Sequence, residues 1–300
     1  MDNAKNDAKQ TVGDRLRAMY PEAKSTTLRE MVAGKRVRVD GVAAKSFKQE
    51  VAAAQVVEVA DRETMPTKRL TLAEGLVLVH ADAHVLLIDK PSGLLTATDA
   101  QERRPTALKI LTTYFQRQNH KNQVHLIHRL DRDASGLLLF GRSWEAFRSL
   151  KEQFYEHTIT RRYDAIVHGI PKKPEARLEM LLLEDPETGV VRITKDMKKG
   201  KLAILDYAVV AADDRKNIAH VKCTLFTGRK HQIRVQMSAI GHPVLADPLY
   251  ARGGKAPTPD EAPGRLALHA SYLRFVHPTT RREATYESPM PRSFSQLFRT

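Results

Sequence analysis

The stretch Val124–Ser143, VHLIHRLDRDASGLLLFGRS, decides how this chain is read. It sets His128, Arg129, Asp131, Arg132, Asp133 and Ser135 between two apolar runs, and Gly136 opens LLLF, a predicted strand. Polar groups squeezed between core-forming segments are costly to bury unless they are paired or used. Two later stretches share this style. TGRKHQIRV (Thr227–Val235) places Arg229, Lys230, His231, Gln232 and Arg234 around Ile233 and Val235, and GHPVLADPLY (Gly241–Tyr250) carries two prolines and a tight turn. Each alone is explained by an ordinary loop between strands; the three together mark a site.

Working outward, Val77–Val79 and Val85–Ile88 predict strands, and Lys90-Pro91-Ser92-Gly93 forces a turn after the second. Leu108, Leu111, Tyr114 and Phe115 recur at helical spacing, as do Trp144, Phe147, Leu150 and Phe154. Strands and helices without regular alternation predict an α+β fold rather than a doubly wound sheet. The first ten residues are a polar lead. Over 11–60, Val12, Leu16 and Met19 predict a helix stopped by Pro21, and Leu28, Met31 and Val32 a second one closed by Gly34. Val37 and Val39 then alternate into Asp40-Gly41, a strong hairpin signal. Residues 61–75 are expected to be a linker, 76–300 a second domain, and Ala251–Gly264 a mobile loop.

The composition narrows the function classes. The 300 residues carry 49 Lys+Arg against 35 Asp+Glu, a net charge of +14, which suggests a polyanionic partner. Arg29, Lys35, Arg36 and Arg38 belong to a basic face on the amino-terminal helices and hairpin. Such a charge run is ordinarily a solvated surface, but here several elements would present it together. The single cysteine, Cys223, excludes an internal disulfide and any multi-cysteine metal site and fits a reducing compartment. No apolar run approaches the ~20 residues that span a bilayer, so membrane insertion is not expected and a cytoplasmic location is. Neither GxGxxG nor GxxxxGK[ST] occurs, which weighs against nucleotide cofactors held by those motifs. His125, His128 and Asp131 are spaced at three residues and on a helix would form a metal-binding face, but the LLLF run argues against a helix there.

The three clusters, in this order and spelling, resemble the RluA-type family of RNA pseudouridine synthases. The resemblance runs from about Val77 onward through KPSG (Lys90–Gly93), HRLD (His128–Asp131), SGLLL (Ser135–Leu139), RRYDA (Arg161–Ala165), TGRKHQIRV, GHPVLADPLY and RLALHASYLRFVHP (Arg265–Pro278). The amino-terminal helices and hairpin look like an S4 RNA-binding domain. This resemblance implies a mixed, mainly antiparallel sheet with flanking helices. The implied activity is isomerisation of uridine to pseudouridine, without cofactor or metal, on RNA: ribosomal RNA of the large subunit, or alternatively tRNA; nothing in the sequence requires more than a monomer. An RNA-binding or ribosome-assembly factor without activity is the rival from another class, and retention of the whole catalytic set argues against it.

By the same resemblance, Asp131 is the essential carboxylate, Arg234 its ion-pair partner and Tyr163 the aromatic residue against the base. Asp131 would attack C1′, attack C6 or remove the 2′ proton; the sequence leaves all three open. Extruding a stacked nucleotide costs a few kcal/mol, and Arg129 would fill the vacated place, since a planar guanidinium stacks on bases. The alternative for Arg129 is a salt bridge to Asp133. Lys90, His128, Arg229, His231 and Gln232 are expected to bind substrate or to hold the loops around it. Ala134 stands where the family usually has threonine, Arg161 where lysine is common, and Gln236 where histidine is frequent.

Overall fold

The structure, a computed structural model, describes residues 10–33, 36–59, 69–98, 104–118, 123–251 and 264–298. They fall into two compact units, one up to residue 67 and one from residue 68 onward.

The first unit holds β1 (Gln10–Thr11), α1 (Val12–Met19), α2 (Ser25–Ala33), β2 (Val37–Val39), β3 (Val42–Ala43), β4 (Glu50–Val51) and β5 (Val57–Val59). Thr11 starts α1 with a capping box: its hydroxyl accepts from Asp14 N at 3.2 Å while the Asp14 carboxylate accepts from Thr11 N at 3.0 Å. Asp40 and Gly41 join β2 to β3 with φ of +49° and +79°, the doubly left-handed turn that matches strand twist. β2 lies between β3 and β5. Val37 and Val39 face inward onto Val12, Leu16 and Leu28, leaving Arg38 on the exposed side. Gly34 and Lys35 lie outside the described residues.

The second unit contains β6 (Leu70–Thr71), β7 (Val77–Ala81), β8 (Val85–Lys90), α3 (Ala107–Arg117), β9 (His125–Leu126), β10 (Ser135–Gly141), α4 (Trp144–Tyr155), β11 (Thr160–His168), β12 (Glu175–Glu184), β13 (Val191–Thr194), β14 (Lys201–Asp213), β15 (Ile218–Leu225), α5 (Gln232–Ala239), β16 (Leu268–Val276), β17 (Glu283–Glu287) and α6 (Arg292–Ser295). Its strands form one sheet in the order β13-β12-β14-β15-β11-β16-β10-β8-β7-β6, with β17 beside β16 and β9 beside β10. Among the described pairs only β10 and β16 run parallel. The expected α+β architecture, a mixed and mostly antiparallel sheet with flanking helices, is the one observed. The expected linker is too long at its carboxyl end. Leu70 and Thr71 already pair with β7, because the edge of that strand offers unpaired backbone groups to them. Most of the Ala251–Gly264 loop lies outside the described residues.

β10 is the spine. All seven of its residues are buried. Leu138 and Phe140 join Leu111 and Phe115 of α3 in one apolar cluster, while Leu137 and Leu139 join Leu150 of α4 in another. A strand covered on both faces reads as a continuous apolar run, as SGLLLFG does. Gly136, at φ +110°, is required here: a Cβ would overlap the Ala270 backbone of β16. That close approach fixes where the preceding loop, residues 127–134, leaves the sheet. Among the described residues no helix is long and apolar enough to cross a membrane.

Candidate active site

The 127–134 loop carries Asp131, and the KPSGLLT segment at the end of β8 clamps it. Lys90 is fully buried, and its Nζ donates to Pro91 O at 2.9 Å, Leu94 O at 2.8 Å and Arg132 O at 3.0 Å. Ser92 Oγ donates to Asp133 O at 2.6 Å, Gly93 N to Arg132 O at 2.9 Å and Thr96 Oγ1 to Leu130 O at 2.8 Å. An irregular buried loop leaves carbonyls that must find donors, and these residues supply them. Lys90, expected to bind substrate, is thus committed to the protein's own backbone; burial pushes its ammonium down to about 7.

Asp131 projects from this clamped loop with 22% of its side chain exposed. Its Oδ2 accepts from Arg234 Nη1 at 3.1 Å. Arg234, on the first turn of α5, is 4% exposed and forks its remaining donors onto Asp247, Nε to Oδ2 at 2.7 Å and Nη2 to Oδ1 at 2.9 Å. Asp247 Oδ1 also accepts from Leu249 N at 2.9 Å and Tyr250 N at 3.1 Å. The guanidinium is therefore held by a sealed carboxylate on one side and presented to a half-open one on the other. Burial opposes its charge, but the two carboxylates outweigh burial and raise its pKa.

The cavity in front of Asp131 measures about 520 Å3. Tyr163 and Arg161 of β11 both line it, as residues two apart on a strand share a face. A register shift against β16 falls between Arg162 and Tyr163 and aims the tyrosine there. Burial pushes the Tyr163 phenol up, so it stays protonated. Arg129 is exposed at the cavity wall and makes no ion pair among the described residues; Asp133 is taken by Arg132, at 2.9 and 3.1 Å.

The remaining expected binders divide by what their polar atoms do. Gln232 is buried and spends its amide on the loop: Oε1 accepts from Thr227 Oγ1 at 2.8 Å and Arg229 N at 3.1 Å, and Nε2 donates to Ile204 O at 3.0 Å. His128 lines the cavity with its ring stacked on Phe154 at 4.7 Å, but its Nε2 accepts from Leu139 N at 3.1 Å. Burial, with Arg161 and Lys151 nearby, pushes its imidazole down to about 3. His231 Nδ1 pairs with Tyr250 Oη at 2.7 Å, and Arg229 Nε donates to Leu202 O at 2.9 Å. Both border the cavity. His125 packs against Trp144 and Phe147, so the alternative metal face of His125, His128 and Asp131 does not assemble. In the first unit, Arg38 is exposed and Arg29 lies over the Phe47 ring at 5.6 Å.

Sequence reading missed Asp247 and Tyr250, although both lie in a quoted cluster; their partners stand 13 and 19 positions away. It also gave Gln236 no contact. Its amide is buried beneath α5, with Nε2 donating to Leu178 O and Ala203 O at 3.1 Å each.

Residues 84–239 match the family described as RNA pseudouridylate synthase. The ribosomal large subunit pseudouridine synthase D of Pseudomonas aeruginosa is 31% identical over 292 residues, which cover 93% of this chain and 88% of that protein. The dual-specificity RNA pseudouridine synthase RluA of Escherichia coli is 35% identical over 217 residues, covering 71% and 93%. Among solved structures, human RNA pseudouridylate synthase domain containing 1 superimposes with a TM-score of 0.57 at 26% identity, over 72% of this chain and 84% of that one.

Proposed function

The chain belongs to the RNA pseudouridine synthase family, and on that premise we propose that it isomerises uridine in large-subunit ribosomal RNA with Asp131 as the essential carboxylate. The reaction breaks the N1–C1′ bond, turns the uracil and forms C5–C1′, and the proton that C5 loses is balanced by one that N1 gains. It is an isomerisation, with the same atoms in substrate and product. The observation that carries the reading is the asymmetry of Asp131: one oxygen is paired with Arg234, and the other makes no hydrogen bond among the described residues, in a cavity roomy enough for a nucleoside.

Each role open to Asp131 — attack on C1′, attack on C6, or removal of the 2′ proton — needs an ionised oxygen at the ribose–uracil junction. Arg234 fixes the orientation of that oxygen, and the Lys90 clamp fixes the loop beneath it. Tyr163, protonated and buried, supplies a flat wall and a hydroxyl. Arg129, with no ion pair to give up, fills the stack that the extruded nucleotide leaves.

The first unit serves as an S4-like grip on RNA backbone through Arg29, Arg36 and Arg38, and the enzyme works in the cytoplasm. Pseudouridines mapped across all RNA in cells with and without this gene test the assignment. The expected result is one or more large-subunit positions that vanish and return with wild-type protein but not with D131N. Vanishing sites confined to tRNA would overturn the ribosomal assignment, and an unchanged map would overturn the activity.

A further inference from the structure

The cavity does not end at the groups assigned above. Its far wall is the carboxyl-terminal turn of α4, where Lys151, Phe154 and Tyr155 line it together with Arg161. Arg161 is buried, lies over the Phe154 ring at 5.1 Å and donates from Nη2 to Thr227 O at 3.3 Å. Its Nη1 lies 2.8 Å from where a Cβ on Gly228 would stand, so a side chain there would push the guanidinium aside. It has no ion-pair partner among the described residues, whereas buried cations are ordinarily paired.

From that turn an aromatic stripe runs back along the surface of the helix. Trp144, Phe147, Lys151 and Tyr155 are spaced by three, four and four residues, which puts them on one face over about 16 Å. Trp144 is 57% and Tyr155 85% exposed. Trp144 stacks on Phe147 with centroids 5.0 Å apart, and Lys151 Nζ lies 5.7 Å over the Phe147 ring. The acidic residues Glu145, Glu152 and Glu156 each sit one position further on, a stripe rotated by about 100° that borders the aromatic one. Flat exposed rings interleaved with cations suit a single nucleic-acid strand, whose bases stack and whose phosphates take the charge.

We propose that this face of α4 carries the unpaired RNA strand adjoining the target nucleotide, with Tyr155 and Trp144 stacking its bases and Lys151 and Arg161 taking its backbone where it enters the cavity. The proposal rests on the RNA-modifying reading of the cavity and adds the single-stranded character of what flanks the target. A duplex, with its bases stacked inside, would leave Tyr155 and Trp144 without partners.

The test measures binding of two probes to the full chain: a short unstructured uridine-rich RNA and a fully paired, blunt-ended RNA duplex. Y155L, which keeps bulk and loses the ring, weakens the unstructured probe by 5-fold or more, a range typical of one stacked base, and leaves the duplex unchanged. Y155F restores the wild-type value. K151A lowers the salt dependence of unstructured-probe binding by about one unit of slope. Wild-type affinity for that probe in Y155L, equal losses on both probes, or no binding of it by the wild-type protein overturns the proposal. Pseudouridine formation by the wild-type protein is scored separately. Its absence with the binding pattern intact would overturn the assigned reaction and leave the strand path standing.

Discussion

Two carboxylates in the second unit invite comparison. Asp82 sits in the turn between β7 and β8 with 6% of its side chain exposed. Its Oδ2 meets His80 Nε2 and His277 Nε2, each at 3.0 Å, and its Oδ1 accepts from His84 N at 2.6 Å and Val85 N at 2.7 Å. These contacts lower its pKa well below the usual carboxylate range, against the opposing effect of burial. Asp131 has fewer partners and more exposure. A strongly shifted ionisation equilibrium surrounded by histidines is the usual mark of an active site, yet here it belongs to the carboxylate that ties two turns of the sheet together. Asp82 is satisfied on every side and has nothing left to offer a ligand. Asp131 keeps an oxygen unspent, and function follows that unspent valence rather than the depth of burial.

Exchanging each carboxylate for an amide tests this contrast at its largest. D131N is expected to lose pseudouridine formation by at least on the order of 10³-fold, while its RNA affinity stays close to wild type and its thermal midpoint moves by less than roughly 4 °C. D82N is expected to do the reverse. One oxygen becomes an amide that cannot accept from every donor around it, at about 2 kcal/mol. For a unit of this size that is roughly 4–8 °C in midpoint, with turnover by the folded fraction retained. Single-turnover assays at low temperature beside melting curves separate the two. If D82N abolished turnover while fully folded, the contrast would fail.

A smaller effect is expected from R234K, which sharpens the comparison by altering only the partner. An ammonium cannot fork onto Asp247 and reach Asp131 together. Asp247 is fully buried on its side chain, so it keeps the charge and Asp131 loses its orienting contact. A misplacement of about 1 Å costs on the order of 10²-fold in rate, and the expected loss is of that size, with RNA affinity retained. Wild-type turnover in R234K would mean that the pair does not set the geometry.

Much of this was legible before any coordinates. β10 announced itself as an apolar run with no polar face, and Asp40-Gly41 as a turn that demands left-handed backbone. The helical stripes at Leu108 and Trp144 landed within α3 and α4. Legibility ends where a role depends on contacts across the chain. Lys90 before a proline turn looks like a ligand for an anion; only the fold brings Arg132 O, 42 positions on, to its ammonium. Asp247 carries no periodicity or motif that would single it out from other loop acids, and its meaning comes from α5 turning Arg234 toward it. Arg129 shows the converse, since the neighbour that would have explained it away is bound to Arg132 instead.

His128 tests whether lining the cavity is enough to make a group functional, and here the expected effect is the smallest. Its ordinary imidazole pKa near 6.5 applies when the chain is unfolded, whereas burial holds it at about 3 in the folded protein. Between those values the unfolded chain binds a proton that the native one refuses. Stability therefore rises with pH across this window and is lost as pH falls from about 6.5 toward 3, by up to ~1.4 kcal/mol per unit. In H128Q the amide oxygen accepts the Leu139 N–H in place of Nε2 and takes up no proton, so its melting temperature falls less steeply between pH 6 and 4 than that of wild type. The other titrating groups are common to both proteins and cancel in the difference. At neutral pH the variant's rate loss stays well under the ~10²-fold that removal of an acid–base group brings. Parallel melting curves down to pH 4, or a rate loss of that larger size, would move His128 from the side of Asp82 to the side of Asp131.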